Sequence, residues 1–127
     1  CGRNGCLDCF LSLGGLETEY HNITQTRLDI EAIAAAADAS DLVASSVLQV
    51  LDDRIGRTTA MIINMFDPDV IILGGRLAGL DRLYQNVPRK WPGYLLVERN
   101  ETKLQKANQD AFTLAKGAAC LAIDPVI

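Results

Sequence analysis

The feature that most constrains the fold is a short apolar run that ends in two glycines, Val70–Leu73 followed by Gly74 and Gly75. Proline blocks a helix and disfavours the α conformation in the residue before it, so Pro68 predicts that the preceding helix ends at Asp67. The β-branched run then predicts a strand covered on both faces. Open α/β sheets place ligands beyond such strand ends, and glycine lets a ligand approach the backbone. The alternative is that the two glycines belong to an ordinary strand-to-helix turn with no ligand.

Composition bounds the class of protein. The chain has 127 residues, of which 49% are hydrophobic and 22% charged, as in a globular domain or part of one. A net charge of −4 with scattered Lys and Arg argues against a nucleic-acid surface. Neither a signal peptide nor an apolar run of membrane-spanning length is recognised, which predicts a cytoplasmic protein without a membrane partner. The start without Met predicts that the chain belongs to a longer protein.

The cysteines are concentrated at the amino terminus. Cys1 and Cys6 flank a glycine-bounded loop that can direct two thiols at one zinc ion, and Cys9 and His21 are candidates to complete four ligands. The spacing matches no standard zinc pattern. The competing interpretation, which we favour, makes Cys9 a small buried apolar residue and His21 an exposed loop residue.

Periodicity and composition predict a helix-rich chain with few strands. The predicted helices are residues 7–20 (interrupted at Gly14-Gly15), 29–39, 41–66, 80–87 and 112–123, with a loop at 21–27, a weak strand at 103–107 and either state at 94–97.

The longest predicted helix, residues 41–66, allows predictions for several individual residues. Ser40 or Asp41 is expected to cap it. Asp52 and its charged neighbours predict a solvated face, whereas the segment after Gly56 is apolar nearly all round and is expected to be buried. Gly56 itself suggests close packing or a bend, and Asn64 must find a hydrogen-bond partner.

Three stretches, in order, resemble the carboxy-terminal part of the ROK family, named for repressors, open reading frames and sugar kinases. Residues 1–8, CGRNGCLD, are similar to the end of its zinc motif, C-x-C-G-x-x-G-C-x-E. Residues 66–75, FDPDVIILGG, are similar to its nucleotide-binding strand and turn. Gly117-Ala118-Ala119 is similar to the G-A-A of its last helix. The resemblance implies an α/β fold, with residues 1–127 as part of the carboxy-terminal lobe of an actin-like (ribonuclease H-like) ATPase.

The resemblance also implies roles for individual residues. Cys1 and Cys6 match two zinc ligands, whose partners in the family lie upstream. Asp8 stands where the family has a glutamate that hydrogen-bonds the sugar hydroxyls, and its side chain is one methylene shorter. Gly74 and Gly75 match the glycines at the adenosine end of ATP. The family's catalytic aspartate and phosphate loop match nothing here, so no catalytic residue and no kinase activity are expected of this chain alone.

The function implied is that of an ATP- and Mg²⁺-dependent hexose kinase of fructokinase type, with structural zinc and a homodimer formed through this lobe. A sugar-sensing transcriptional repressor of the same family is the alternative, although this lobe itself is not expected to bind nucleic acid. The glycine pair and Asp67-Pro68 favour the kinase, because repressors of the family often lose the pair and carry N-P. An inactive lobe is a third interpretation, suggested by Asp8 and Leu114.

Overall fold

The computed structural model describes residues 5–108 and 113–123. Its helices and strands, in chain order, are α1 Leu7–Leu11, α2 Leu13–Thr24, α3 Ile30–Asp38, α4 Leu42–Phe66, β1 Val70–Leu73, a 3₁₀ turn Arg76–Gly79, α5 Arg82–Lys90, a 3₁₀ turn Trp91–Gly93, β2 Lys103–Lys106 and α6 Thr113–Ile123. The prediction of a helix-rich α/β chain with few strands is confirmed.

The long helix α4 is the centre of the structure. Asp41 caps its start: the Asp41 Oδ1 accepts a hydrogen bond from the Ala44 N–H at 2.9 Å. This cap was one of the two predicted. The helix ends at Asp67 in the left-handed conformation, just before Pro68. Helices α1, α2, α3 and α5 all pack against it. The buried apolar core accordingly includes Leu16, Tyr20, Ile30, Ile33, Val47, Leu48, Leu51, Ile55, Ile63, Leu83, Val87 and Trp91.

Strands β1 and β2 form a parallel two-stranded sheet, in register from Val70 opposite Lys103 to Leu73 opposite Lys106. Both strands were predicted. The expectation that β1 is covered on both faces is wrong for this chain, because Val70 and Ile72 are 39% and 60% exposed. Only the alternate residues, Ile71 and Leu73, pack against the core.

The second half of α4 is half-buried rather than enclosed. Ala60 and Ile63 face the core, but Met61 and Met65 are 50% and 67% exposed. The prediction of full burial is therefore wrong, since the described elements cover one face only. Asn64 does find partners: its Nδ2 donates to the Tyr94 carbonyl and its Oδ1 accepts from the Leu96 N–H, each at 3.0 Å.

The amino-terminal helices differ from the prediction in their break point. The interruption falls at Ser12, whose Oγ accepts from the Gly15 N–H at 3.2 Å and caps α2. Helix α2 then runs through both glycines to Thr24. The predicted loop at residues 21–27 is wrong in its first part, because His21 lies in the last turns of this helix.

Helix α5 begins two residues later than predicted, at Arg82, and continues through Pro88 to Lys90. Residues 94–97 form neither helix nor strand. The last helix is described from Thr113, so the predicted start at Phe112 lies outside the described residues. In the described part of the chain no single helix is long and apolar enough to cross a membrane; α3 and α4 pass such a test only jointly, across a bend of 116°.

Candidate functional site

The candidate site is the turn that follows β1. Gly75 adopts φ 73° and ψ −173°, a backbone conformation that strongly favours glycine. Gly74 does not have a positive φ. A Cβ built at either glycine meets no atom within 4 Å, so the space in front of the turn is open. Neither backbone strain nor close packing against the described residues accounts for glycine at position 74.

The turn is anchored to the core by its 3₁₀ segment. The Ala78 N–H donates to the Gly75 carbonyl at 3.2 Å, and Ala78 is fully buried. The Tyr84 hydroxyl, on α5, donates to the Ala78 carbonyl at 2.8 Å. Burial raises the pKa of Tyr84, and the nearby negative charge of Asp81 adds to the effect. Tyr84 therefore keeps its proton and remains a donor at neutral pH.

Two ion pairs tie the turn to its neighbours. Arg76 pairs with Glu31 of α3 at 2.8 Å, and the hydrogen bond from this partner raises the arginine pKa. Lys106 of β2 lies 3.2 Å from Asp81. Each pair is well exposed to solvent, so its contribution to stability is small.

A buried polar cluster fixes the start of α5, just beyond the turn. Asp52 of α4 is 2% exposed. Its Oδ2 accepts from Arg82 Nη2 at 2.7 Å and from Asn86 Nδ2 at 2.8 Å. Asp52 Oδ1 and Arg82 Nε are buried without a partner among the described residues. The prediction that Asp52 belongs to a solvated face is wrong, although its spacing from the core residues Leu48 and Ile55 on α4 was a usable signal.

The structure describes only some of the residues proposed for zinc. Cys1 lies outside the described residues. Cys6 precedes α1 and is half-buried, whereas Cys9 is exposed, which contradicts its interpretation as a buried apolar residue. His21 is half-buried in α2, with its Nδ1 enclosed and unpartnered in the described structure, so its interpretation as an exposed loop residue is also wrong. Within residues 5–108 and 113–123, no three His, Cys, Asp or Glu side chains could hold a metal ion.

Asp8, the candidate sugar ligand, lies on α1 and is exposed. Its carbonyl accepts from the Ser12 N–H at 3.2 Å. Helix α1 packs against α2 and α4. Gly74 and Gly75, in contrast, follow β1.

Comparison with known proteins identifies the family. Residues 1–125 match the ROK family. An N-acetyl-D-glucosamine kinase of Pasteurella multocida is 32% identical over 121 residues, which cover 95% of this chain and 40% of that kinase. The chain therefore spans less than half the length of the curated relatives that it matches.

Solved structures share the fold. A ROK family glucokinase from Streptomyces griseus, in complex with glucose and AMPPNP, superposes with a TM-score of 0.79 at 23% identity, over 95% of this chain and 45% of the glucokinase. A ROK family transcriptional regulator, a homologue of the E. coli MLC protein, superposes with a TM-score of 0.70 at 27% identity, over 84% of this chain and 30% of the regulator.

Proposed function

The chain belongs to the ROK family, and from this premise we propose that residues 1–127 are the carboxy-terminal lobe of an ATP-dependent sugar kinase with an actin-like fold. The open glycine turn at Gly74 and Gly75 carries the proposal. The similarity to an N-acetyl-D-glucosamine kinase supports sugar phosphorylation by the parent protein.

In this proposal the glycine turn is a floor for the adenosine of ATP. Because a Cβ at Gly74 would project into open space, its absence lets a flat ring system lie directly on the backbone. The anchors at Ala78, Tyr84 and Arg82 hold that floor in place before the ligand arrives. A preformed surface binds at a lower cost in conformational entropy than a mobile one.

Asp8 is the proposed contact to the sugar. An exposed carboxylate can accept hydrogen bonds from two neighbouring hydroxyls, which is how such groups orient a sugar. Phosphoryl transfer depends on positioning and on stabilising the charge of the moving group, and bound Mg²⁺ would supply part of that charge stabilisation. The catalytic base and the phosphate loop belong to the rest of the parent protein in this proposal. The 127-residue chain alone is therefore proposed to be inactive.

The identity of the sugar is the finer part of the proposal. The resemblance noted from sequence predicts fructose, whereas the relatives described above are kinases of N-acetylglucosamine and glucose. We therefore place the substrate among hexoses and N-acetylhexosamines and expect N-acetylglucosamine, glucose and fructose to be separable by direct assay.

The test is sugar-dependent production of ADP by the parent protein with ATP and Mg²⁺, assayed with each of the three sugars. At least one sugar should stimulate turnover, and Asp8→Asn should raise the KM for that sugar more than the KM for ATP. Asp38→Asn is the matched control, because Asp38 is an exposed carboxylate at the end of α3. Equal effects of the two substitutions would remove Asp8 from the sugar site, and no stimulation by any of the three would refute this substrate class.

A sugar-sensing repressor is the second candidate, supported by the structural similarity to a ROK transcriptional regulator. The two functions differ in their need for nucleotide. Tight sugar binding by the parent without saturable ATP binding would favour the repressor.

The proposal includes a homodimer, which is supported by exposed apolar side chains on α1 and α4. Leu7, Met61 and Phe66 are 54%, 50% and 70% exposed. Exposed apolar surface of this kind is commonly covered by a partner. Sedimentation of the parent protein should give twice the monomer mass, and Met61→Lys should lower the measured mass. A monomer at all concentrations would contradict the proposed homodimer.

A further inference from the structure

Arg76 lies directly beside the glycine turn and has no role in the kinase proposal so far. It is the first residue of the 3₁₀ turn Arg76–Gly79, and adjacent Cα atoms are about 3.8 Å apart, so it borders Gly75. Gly74, Gly75 and Arg76 are all exposed, and the arginine side chain is 60% exposed. A cation is therefore fixed at the edge of the surface proposed for the nucleotide.

Helix α3 holds the other end of this side chain. Arg76 Nη2 donates to Glu31 Oε2 at 2.8 Å, the one hydrogen bond of the guanidinium within the described residues. Glu31 lies in the first turn of α3. The cation–π contacts of the described aromatic rings go to Arg54 and Arg57. One edge of the Arg76 guanidinium is therefore engaged, while no described aromatic ring covers its planar faces.

The charges around Arg76 favour a neutral group over a phosphate. The hydrogen bond to Glu31 is the largest cause of the raised pKa of Arg76, and the negative charges of Glu31, Glu17 and Asp29 add to it. Arginine commonly binds phosphate, but these neighbouring carboxylates repel a further anion. A neutral nucleobase meets no such repulsion, and guanidinium planes stack on aromatic rings and on bases.

We propose that Arg76 is a base-binding residue of the nucleotide site, with the purine of ATP held between the guanidinium plane and the backbone of the glycine turn. Glu31 is a positioning residue, because it acts on the base only through Arg76. This inference rests on the proposed function, since it needs a nucleotide at Gly74 and Gly75. It adds the side chain that recognises the base and places the triphosphate away from the carboxylates around Arg76.

The test is titration of the parent protein with a non-hydrolysable ATP analogue, together with the KM for the sugar that stimulates turnover. Arg76→Ala should weaken binding of the analogue about fivefold, the factor expected of an exposed cation–π contact, and leave the KM for the sugar unchanged. Arg76→Lys keeps the charge but loses the plane, so it should also bind more weakly than the wild type. Arg99→Ala, at another exposed arginine, is the control and should bind as the wild type does.

The positioning role of Glu31 is tested by a double-mutant cycle. Glu31→Ala should weaken binding of the analogue when Arg76 is present and have no further effect in the Arg76→Ala background. Equal losses in both backgrounds would remove Glu31 from this role. Both partners are well exposed, so these substitutions should leave the urea unfolding midpoint nearly unchanged.

The outcomes separate this inference from the kinase proposal. Undiminished binding by Arg76→Ala would overturn the inference and leave the kinase proposal intact. Full binding by Arg76→Lys would overturn it as well, because charge without a plane would then suffice. An equal change in the KM for the sugar would assign Arg76 a general structural role instead. Failure of the wild type to bind the analogue is a different result, which refutes the proposed function and this inference with it.

Discussion

At the scale of single residues, the close packing at Gly56 predicts how a substitution there changes the stability of the protein. In an open helix position, replacing glycine by alanine stabilises by up to about 1 kcal/mol. At Gly56 a Cβ would lie 2.7 Å from Lys90 Cβ, so α4 and α5 must separate. We expect Gly56→Ala to lower the free energy of unfolding by about 1–3 kcal/mol, as overpacking does, in a urea titration.

Gly14 is the matched control, because a Cβ at this helical position in α2 meets nothing within 4 Å. Gly14→Ala should be neutral or stabilising by a few tenths to about 1 kcal/mol. If both substitutions had the same sign, close packing at Gly56 would not be the reason for glycine there.

The lowered pKa of Asp53 predicts that the stability of the protein depends on pH. A hydrogen bond from the Tyr94 hydroxyl, at 2.8 Å, and then the Arg57 guanidinium lower the pKa of Asp53 from its ordinary value of 3.8. Its stabilising contribution is therefore present above pH 3.8 and is lost as the pH falls through the lower folded-state value. Asp53→Asn should destabilise the protein at pH 6 and less so as acid is added. A stability difference that is constant from neutral pH to the acid limit of folding would contradict this assignment.

At the scale of elements, the Asp52 cluster is what joins α4 to the start of α5. Removing one partner of a buried ion pair costs about 3–5 kcal/mol, and we expect the lower end for Asp52→Ala because Arg82 is 29% exposed. The double substitution Asp52→Leu with Arg82→Met should recover much of this loss, because it leaves no charge unpaired in the core. The free energies of unfolding of Asp52→Leu, Arg82→Met and the double variant measure the coupling. Additive losses would mean that the two residues do not act as a pair.

The sequence predicted those elements whose signals are local. Asp41 and Pro68 mark both ends of α4, and the apolar run of β1 lies between a proline and two glycines. The break between α1 and α2 was misplaced, because glycine is permissive in a helix and the side-chain cap at Ser12 decided the boundary. The extent of α5 was missed for a similar reason, since Pro88 lies within this helix and does not mark its end.

At the scale of the whole molecule, burial was the hardest property to predict. The apolar pattern after Gly56 predicted burial there but could not show that Met65, or Ile72 of β1, stays exposed, because exposure depends on which elements cover each face. The position of the glycine turn followed from the sequence. Its anchors did not, since Arg76 meets Glu31 from 45 residues away and Asp52 meets Arg82 from 30 residues away.

The central claim is that the turn at Gly74 is a floor for a nucleotide, and titration of the parent protein with a non-hydrolysable ATP analogue tests it most directly. A Cβ at this position meets no described atom within 4 Å and no positive φ forbids it, so we expect Gly74→Val to fold normally. We predict that the substitution weakens binding of the analogue by at least about tenfold, equivalent to about 1.4 kcal/mol. Gly93→Val, at another exposed glycine with open space around it, should bind as the wild type does. Undiminished binding by Gly74→Val, or no binding by the wild type, would contradict the account.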